Sequence, residues 1–270
     1  MQAYFLSHNG LGDNLVSIGA LRFLCKYYNT IHFLCKDIYY PNVRLFFLNE
    51  HKIIVVPFDS TNEFFSCKTI IDANYENNDI FICGFVHKGY LKSKITNELL
   101  LQYKQDDKGY DLEYDTINGF HYSFLKEFYN DINLDLSIFY EYFHLEHTET
   151  SKELYTMVKD YKVIFIHTTS SVNKRLNICG ITQQYLSDEN TILISANENL
   201  YDKSNPKHGI CEKFVMNKIV NYLDTIIHSD EIYIIDSCFI GIVLPLVKTK
   251  KLYAKTVRII RRDLVDTIVV

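Results

Sequence analysis

The feature that most limits what this chain can fold into is an alternation that begins at its first residues. A short apolar run, residues 2–7, turns through His8-Asn9-Gly10-Leu11-Gly12-Asp13-Asn14. It continues with Leu15, Ile18, Leu21, Leu24 and Cys25 at helical spacing. That is a buried strand, a glycine-bearing turn and a helix start in quick succession. Apolar runs at residues 31–34 and 53–56 follow as further strands, with a helical stretch over 39–48 starting near Pro41. Strand, helix, strand, helix, strand argues for a parallel sheet with crossover helices.

The middle is less regular. Residues 69–72 fit either a strand or part of a helix, and 79–85 read as a strand. The charged stretch 88–114 reads as an insertion or loop. Residues 119–129 suggest an aromatic-rich helix, and 133–145 fit no single pattern. The polar junction at 147–152 places a domain boundary, giving domains 1–147 and 148–270. Beyond it a helix is expected over 152–161, a strand over 162–166 and a weaker helix over 182–186. A strand at 191–195 follows, then an amphipathic helix over 213–227 through Phe214, Ile219, Val220, Leu223 and Ile227. Strand 231–235, a short apolar helix over 239–246 and a last strand at 251–254 complete the pattern. The expectation is an α/β chain of two Rossmann-like domains, with mostly parallel sheets facing a central cleft.

Composition narrows the function classes. With 47% apolar and 23% charged residues, 270 residues can bury a real core. A net charge of −5 gives no global basic field for nucleic acid. No apolar run reaches the ~20 residues of a membrane span, and no cationic leader precedes the first strand. Seven cysteines, an odd number without a C-x-x-C pair, lie mostly in apolar runs. They read as reduced thiols and point to the cytoplasm.

Ligands of open parallel sheets bind at the carboxyl ends of strands, and four polar clusters fall there. In the first, Gly10 and Gly12 allow a tight turn and close backbone approach, and the helix behind offers N–H groups to an anion. Asp13 fits an ordinary helix-start acid or a general base for a sugar hydroxyl, with Asn14 beside it. No Gly-Lys-Ser/Thr follows, so this is not a phosphate-binding P-loop. A third glycine is missing, and Asp37 alone keeps a dinucleotide site open. In the second cluster, His167, Thr168, Thr169, Ser170 and Lys174 offer hydroxyls and an ammonium for a diphosphate, or form a polar helix-capping loop. Asn197 and Glu198 suit a ribose or base edge, or are merely exposed. Asp236, Ser237 and Cys238 open a helix, either as plain caps or with Ser237 and the Cys238 N–H as phosphate donors. No histidine has a metal-ligand partner at recognisable spacing. Arg258, Arg261 and Arg262 form a basic patch that fits an anionic acceptor or a solvated face.

Gly10-Leu11-Gly12-Asp13, the run Phe165-Ile166-His167-Thr168-Thr169-Ser170, and Ile234-Ile235-Asp236-Ser237 followed by Pro245 occur in that order. Together they resemble the ADP-heptose:lipopolysaccharide heptosyltransferases, glycosyltransferases of GT-B fold. The resemblance implies inverting, metal-independent transfer from a nucleotide-sugar to a glycan-type acceptor. Asp13 is then the base, Lys174 a phosphate contact, and no cofactor is needed. Cys238 stands where that family has glycine, and Ile240 or Gly241 where it has histidine. These departures keep alternatives open: an inactive binding or scaffold protein, or a nucleotide-sugar epimerase or hydrolase on the same fold.

Overall fold

The computed structural model describes residues 1–8, 10–101, 123–170 and 174–260. The described residues fall into two compact units, which change over between Glu146 and His147.

In the N-terminal unit β1 (Gln2–Leu6) leads into α1 (Leu11–Leu24) and β2 (Thr30–Lys36). The expected helix over 39–48 is broken: α2 (Tyr40–Val43) sits between 3-10 turns at Asp37–Tyr39 and Arg44–Phe47. Next come β3 (Ile53–Phe58), α3 (Glu63–Asn74) and β4 (Asp79–Ile82). Residues 69–72 are thus helical. Then come α4 (Phe85–Lys88), α5 (Glu98–Leu101), α6 (Ser123–Asn130) and α7 (Ser137–Glu141). Residues 102–114, most of the predicted insertion, lie outside the described residues, as do 119–122 of the expected aromatic helix.

The sheet order is β3-β2-β1-β4, with every pairing parallel. Strands covered on both faces should be near-continuously apolar, as Phe5, Phe33 and Phe81 at 0% exposure show. Under α3, Leu6, Leu34, Phe58, Cys67, Ile71, Ile80 and Ile82 form one cluster. On the α1 side the buried Tyr129 hydroxyl donates to the Val16 carbonyl (2.7 Å) and accepts from the Ala20 N–H (3.2 Å), tying α6 to α1. Asp79 is 1% exposed at the start of β4. It accepts from Tyr28 Oη (2.6 Å), Thr96 N (2.8 Å) and Thr96 Oγ1 (2.6 Å). A buried carboxylate so satisfied is a structural anchor, at the sheet end opposite the strands' carboxyl ends.

The C-terminal unit begins with α8 (Glu149–Thr156), earlier than predicted because Thr148 caps it by accepting from Ser151 N (3.0 Å). It continues through β5 (Lys162–His167), α9 (Cys179–Tyr185), β6 (Thr191–Ser195) and α10 (His208–Cys211). The amphipathic helix expected over 213–227 does not form. Val215 is extended, Met216 is left-handed with φ 58°, and its N–H donates to the Ala196 carbonyl (3.0 Å). Tyr222 Oη accepts from Asn217 N (3.0 Å) and bonds the Phe214 carbonyl, closing the loop. From Asn217 to His228 the helical parts are a 3-10 turn, Ile219–Tyr222, and α11 (Leu223–His228). The apolar residues Phe214, Ile219, Val220 and Leu223 are buried all the same, so the pattern reported burial and not the helix.

Then come β7 (Glu231–Ile235), α12 (Ile240–Lys248) and β8 (Thr256–Ile260). Residues 251–254, expected as the last strand, are a connection. Tyr253 N donates to the Ile227 carbonyl and Lys255 N to that of Asp230, and pairing starts only at Thr256 opposite Glu231. The order β6-β5-β7-β8 is again wholly parallel.

Candidate functional site

Each sheet reverses its strand order once, between β1 and β4 in the first unit and between β5 and β7 in the second. The crevice at such a point is where open parallel sheets place ligands. The polar clusters of the sequence fall at both.

At the first, Gly10 is the N-cap of α1 and has an ordinary extended backbone (φ −91°). A tight left-handed turn is therefore not why glycine is there. A Cβ on Gly10 would lie 2.7 Å from Asp13 Oδ2. Its absence lets the Asp13 carboxylate fold back and accept the Gly10 N–H at 2.8 Å. Gly12 lies inside the first helical turn. Asn14 Nδ2 donates to the Gly10 carbonyl (2.7 Å) and Ser17 Oγ to that of Asp13 (2.8 Å). The half-buried Asp13 is thus a helix-start acid, as the plain reading expected, and is held in one orientation at a strand end.

The opposing wall comes from residues the sequence reading missed. Gly84, two residues beyond β4, has φ 83°, and a Cβ there would meet His8 Cβ at 2.6 Å. Only glycine fits both the backbone and the approach. Gly84 N donates to Asp131 Oδ2 (2.9 Å), and Lys88 Nζ lies 3.0 Å from Asp131 Oδ1. Burial raises the Cys83 thiol pKa well above its usual value, and the charges of Asp131 and Asp13 add to the shift, so both carboxylates act on one spot. At the end of β2, Lys36 pairs with Glu63 at 2.7 Å. The other oxygen, Glu63 Oε1, is 3.6 Å from Nε2 of the fully buried His87, whose Nδ1 is 2.7 Å from Tyr90 Oη. Burial lowers His87 to about 4, with Glu63 opposing, so the imidazole is neutral at pH 7. Of these, only Lys36, a polar residue at the end of β2, carried a local signal that could have flagged it. Asp37, the residue that kept a dinucleotide site open, accepts instead from Ser60 N (3.3 Å) in the next loop.

At the second switch point, Ser237 Oγ and His167 Nδ1 are 3.0 Å apart. Burial lowers His167 to about 4, and Phe239 packs on its ring at 4.6 Å. The buried Thr168 donates its N–H to Asn197 Oδ1 (3.2 Å). Thr169 bridges to Arg175 in antiparallel fashion, and Ser170 and Lys174 exchange two bonds: Ser170 N to the Lys174 carbonyl (2.9 Å) and Lys174 N to Ser170 Oγ (3.2 Å). Strand end and returning loop thus form one polar lip. His167, Thr168, Asn197 and Ser237 come together directly, and Thr169, Ser170 and Lys174 border them. Glu198 forms an ion pair with Arg175.

The Asp236–Cys238 segment differs from the expectation of a helix start. α12 begins at Ile240, and Ser237 contributes only a preceding turn, its carbonyl accepting from Ile240 N (3.1 Å). Its hydroxyl is directed to His167 and does not cap the helix. Asp236 N donates to the Ile260 carbonyl (2.8 Å). Burial pushes the Cys238 thiol up to about 12, which removes thiolate chemistry at pH 7. Arg258 lies with its guanidinium 5.8 Å from the Tyr233 ring centre, and Arg261 and Arg262 lie outside the described residues.

Two α/β units, each a four-stranded parallel sheet with a polar cluster at its reversal point, define a GT-B-like architecture. Solved structures of that kind match along the chain. ADP-heptose lipopolysaccharide heptosyltransferase II of E. coli has a TM-score of 0.56 at 10% identity, covering 100% of this chain and 95% of that one. The family 9 glycosyl transferase of Veillonella parvula gives 0.54 at 10% identity, over 96% and 85%. E. coli heptosyltransferase WaaC, solved with ADP, gives 0.51 at 11% identity, over 100% and 94%. No family model and no curated protein matches the sequence. The fold is therefore that of these glycosyltransferases. Among the described residues no helix is long and apolar enough to cross a membrane.

Proposed function

We propose that the chain is a cytoplasmic glycosyltransferase that moves a hexosyl- or heptosyl-type sugar from a nucleotide-sugar to a hydroxyl of a glycan-type acceptor. The observation that carries this reading is the fixed Asp13 carboxylate at the first switch point of a chain with this fold. Asp13 takes the proton of the acceptor hydroxyl as its oxygen attacks the anomeric carbon. The bond to the leaving diphosphate breaks, and configuration inverts. A general base of this kind contributes roughly 10²–10⁴ in rate. In the second unit Thr168, Thr169, Ser170, Lys174 and Ser237 supply hydroxyls, N–H groups and one ammonium for the diphosphate, and Asn197 has its amide nitrogen to offer to the nucleoside. These donors are worth most where the leaving group gathers charge. The chemistry needs no metal or other cofactor.

A second reading, a nucleotide-sugar binder without catalysis, is favoured by one observation. Asp13 Oδ2 is already engaged by the Gly10 N–H. One experiment separates the two. ADP-, UDP-, GDP- and CMP-sugars are screened by thermal shift, ADP-sugars first because one neighbour was solved with ADP. Sugars that bind are then offered with an acceptor panel. Transfer that disappears in Asp13→Asn while the donor shift stays supports the transferase. Binding without transfer supports the binder, and absence of any shift removes both.

A further inference from the structure

One residue from Asp13, Asn14 helps line a small, partly open pocket with Ser7, His8, Leu34, Cys35, Lys36 and Phe58, at the carboxyl ends of β1, β2 and β3. Its volume of about 10 Å³ is room for about one water-sized oxygen. Asn14 is 2% exposed. Its amide cannot turn freely, because Nδ2 is committed to the Gly10 carbonyl at 2.7 Å. That leaves Oδ1 for the pocket, and Oδ1 is buried with no hydrogen-bond partner among the described residues. A buried acceptor left unmet costs about 1–3 kcal/mol, so its place one residue from Asp13 points to a ligand that meets it. The missing partner must be a donor, since a carbonyl oxygen has no proton to give. Ser7 Oγ spends its own proton on the His8 carbonyl (3.1 Å) and offers a further acceptor. Lys36 brings N–H groups beyond the one it gives Glu63. An acceptor pair and a donor around room for one oxygen match a hydroxyl, which both gives and takes a hydrogen bond. They do not match a phosphate or carboxylate, which would set charge against Asn14 Oδ1.

We propose that this pocket is a subsite for one non-reacting hydroxyl of the acceptor sugar, received by Asn14 Oδ1, so that Asn14 is a specificity-determining residue. The inference rests on the transferase reading for its acceptor. The subsite fixes the sugar ring by a neighbouring hydroxyl while Asp13 addresses the reacting one.

The test uses the full chain, saturated with whichever nucleotide-sugar stabilises it, or alone where none does. It is titrated by saturation-transfer NMR with methyl glycosides of common hexoses and heptoses and with their monodeoxy forms. For one glycoside, removal of a single hydroxyl is expected to weaken binding about tenfold. In Asn14→Leu the parent and that monodeoxy form should bind alike. If Asn14→Leu does not fold, Ser7→Thr carries the same comparison, since its added methyl occupies the room for the oxygen and leaves Asn14 intact. A wild-type chain that binds every monodeoxy form as well as its parent overturns the subsite. So does a variant that keeps the full discrimination, as a resident structural water would allow. A nucleotide-sugar shift without any glycoside binding also overturns it, with the transferase reading left standing. Hydroxyl discrimination lost in Asn14→Leu, in a chain that binds no nucleotide-sugar, keeps the subsite and removes the transferase.

Discussion

At its switch point the N-terminal unit gathers carboxylates: Asp13 on the Gly10 N–H, Asp131 on the Gly84 N–H, and Glu63 between Lys36 and a neutral His87. The C-terminal unit gathers hydroxyls, an amide and a neutral imidazole, and its Glu198 is neutralised by Arg175. The two sheets are built alike, four parallel strands with one reversal, so the backbone placement is shared and the side chains differ. Carboxylates suit a site that removes a proton, and neutral donors suit one that receives a diphosphate. On the proposed reading, an architecture used twice divides a transfer reaction between unlike chemistries.

The sharpest way to break the comparison is Asp13→Asn. It is expected to reduce transfer about 10²–10⁴-fold while the nucleotide-sugar dissociation constant stays within twofold, read from initial rates and calorimetry. Equal losses in both would mean that the carboxylate cluster is part of donor binding.

The buried imidazoles extend the comparison to pH. Both His87 and His167 are lowered to about 4 by burial, from an ordinary 6.5. Between these values the unfolded chain holds more protons than the folded one. The stability each gives is therefore complete above pH 6.5 and is lost as the pH falls toward 4, by roughly 3 kcal/mol per group. Urea titrations of His87→Gln and His167→Gln across this window should each show a shallower loss than wild type. An unchanged slope in His167→Gln would mean that His167 is charged when folded, and would separate the two units.

Gly84→Ala is expected to cost about 2–3 kcal/mol in urea midpoint, because the new methyl meets His8 in a left-handed backbone. Ser237→Ala removes one bond to His167 and should cost about 1 kcal/mol, with nucleotide-sugar affinity falling by a similar factor. The smallest effect belongs to Arg175→Ala. Its side chain is 64% exposed, and breaking its pair with Glu198 should change stability by less than about 1 kcal/mol. An unexpectedly large loss there would show the returning loop to be held by that pair.

The strands, their order along the chain and the two α/β halves follow from apolar runs that need no partner to be recognised. Phe5, Phe33, Phe165 and Ile234 are buried because strands covered on both faces must be apolar. Asp13, Gly10 and Asn14 were legible for the same local reason, since the capping bonds among them span four residues or fewer. The helix expected over 213–227 failed because its signal was burial, and the tertiary bond from Met216 to the Ala196 carbonyl chose another backbone for the same buried side chains. The last strand slipped to 256–260 because its register is set by β7, far away in sequence. Gly84, Asp131, Glu63 and His87 could not be singled out in advance. Their roles exist only where β1 and β4, or β2 and α3, are brought side by side. By itself the sequence determined which segments are buried and where a carboxylate begins a helix, because those depend on local periodicity and capping. Tertiary structure alone decided that Ser237 answers His167, that Glu198 answers Arg175, and that Asn14 keeps one oxygen unmet. Those pairings are set by distances across the sheet that no local pattern records.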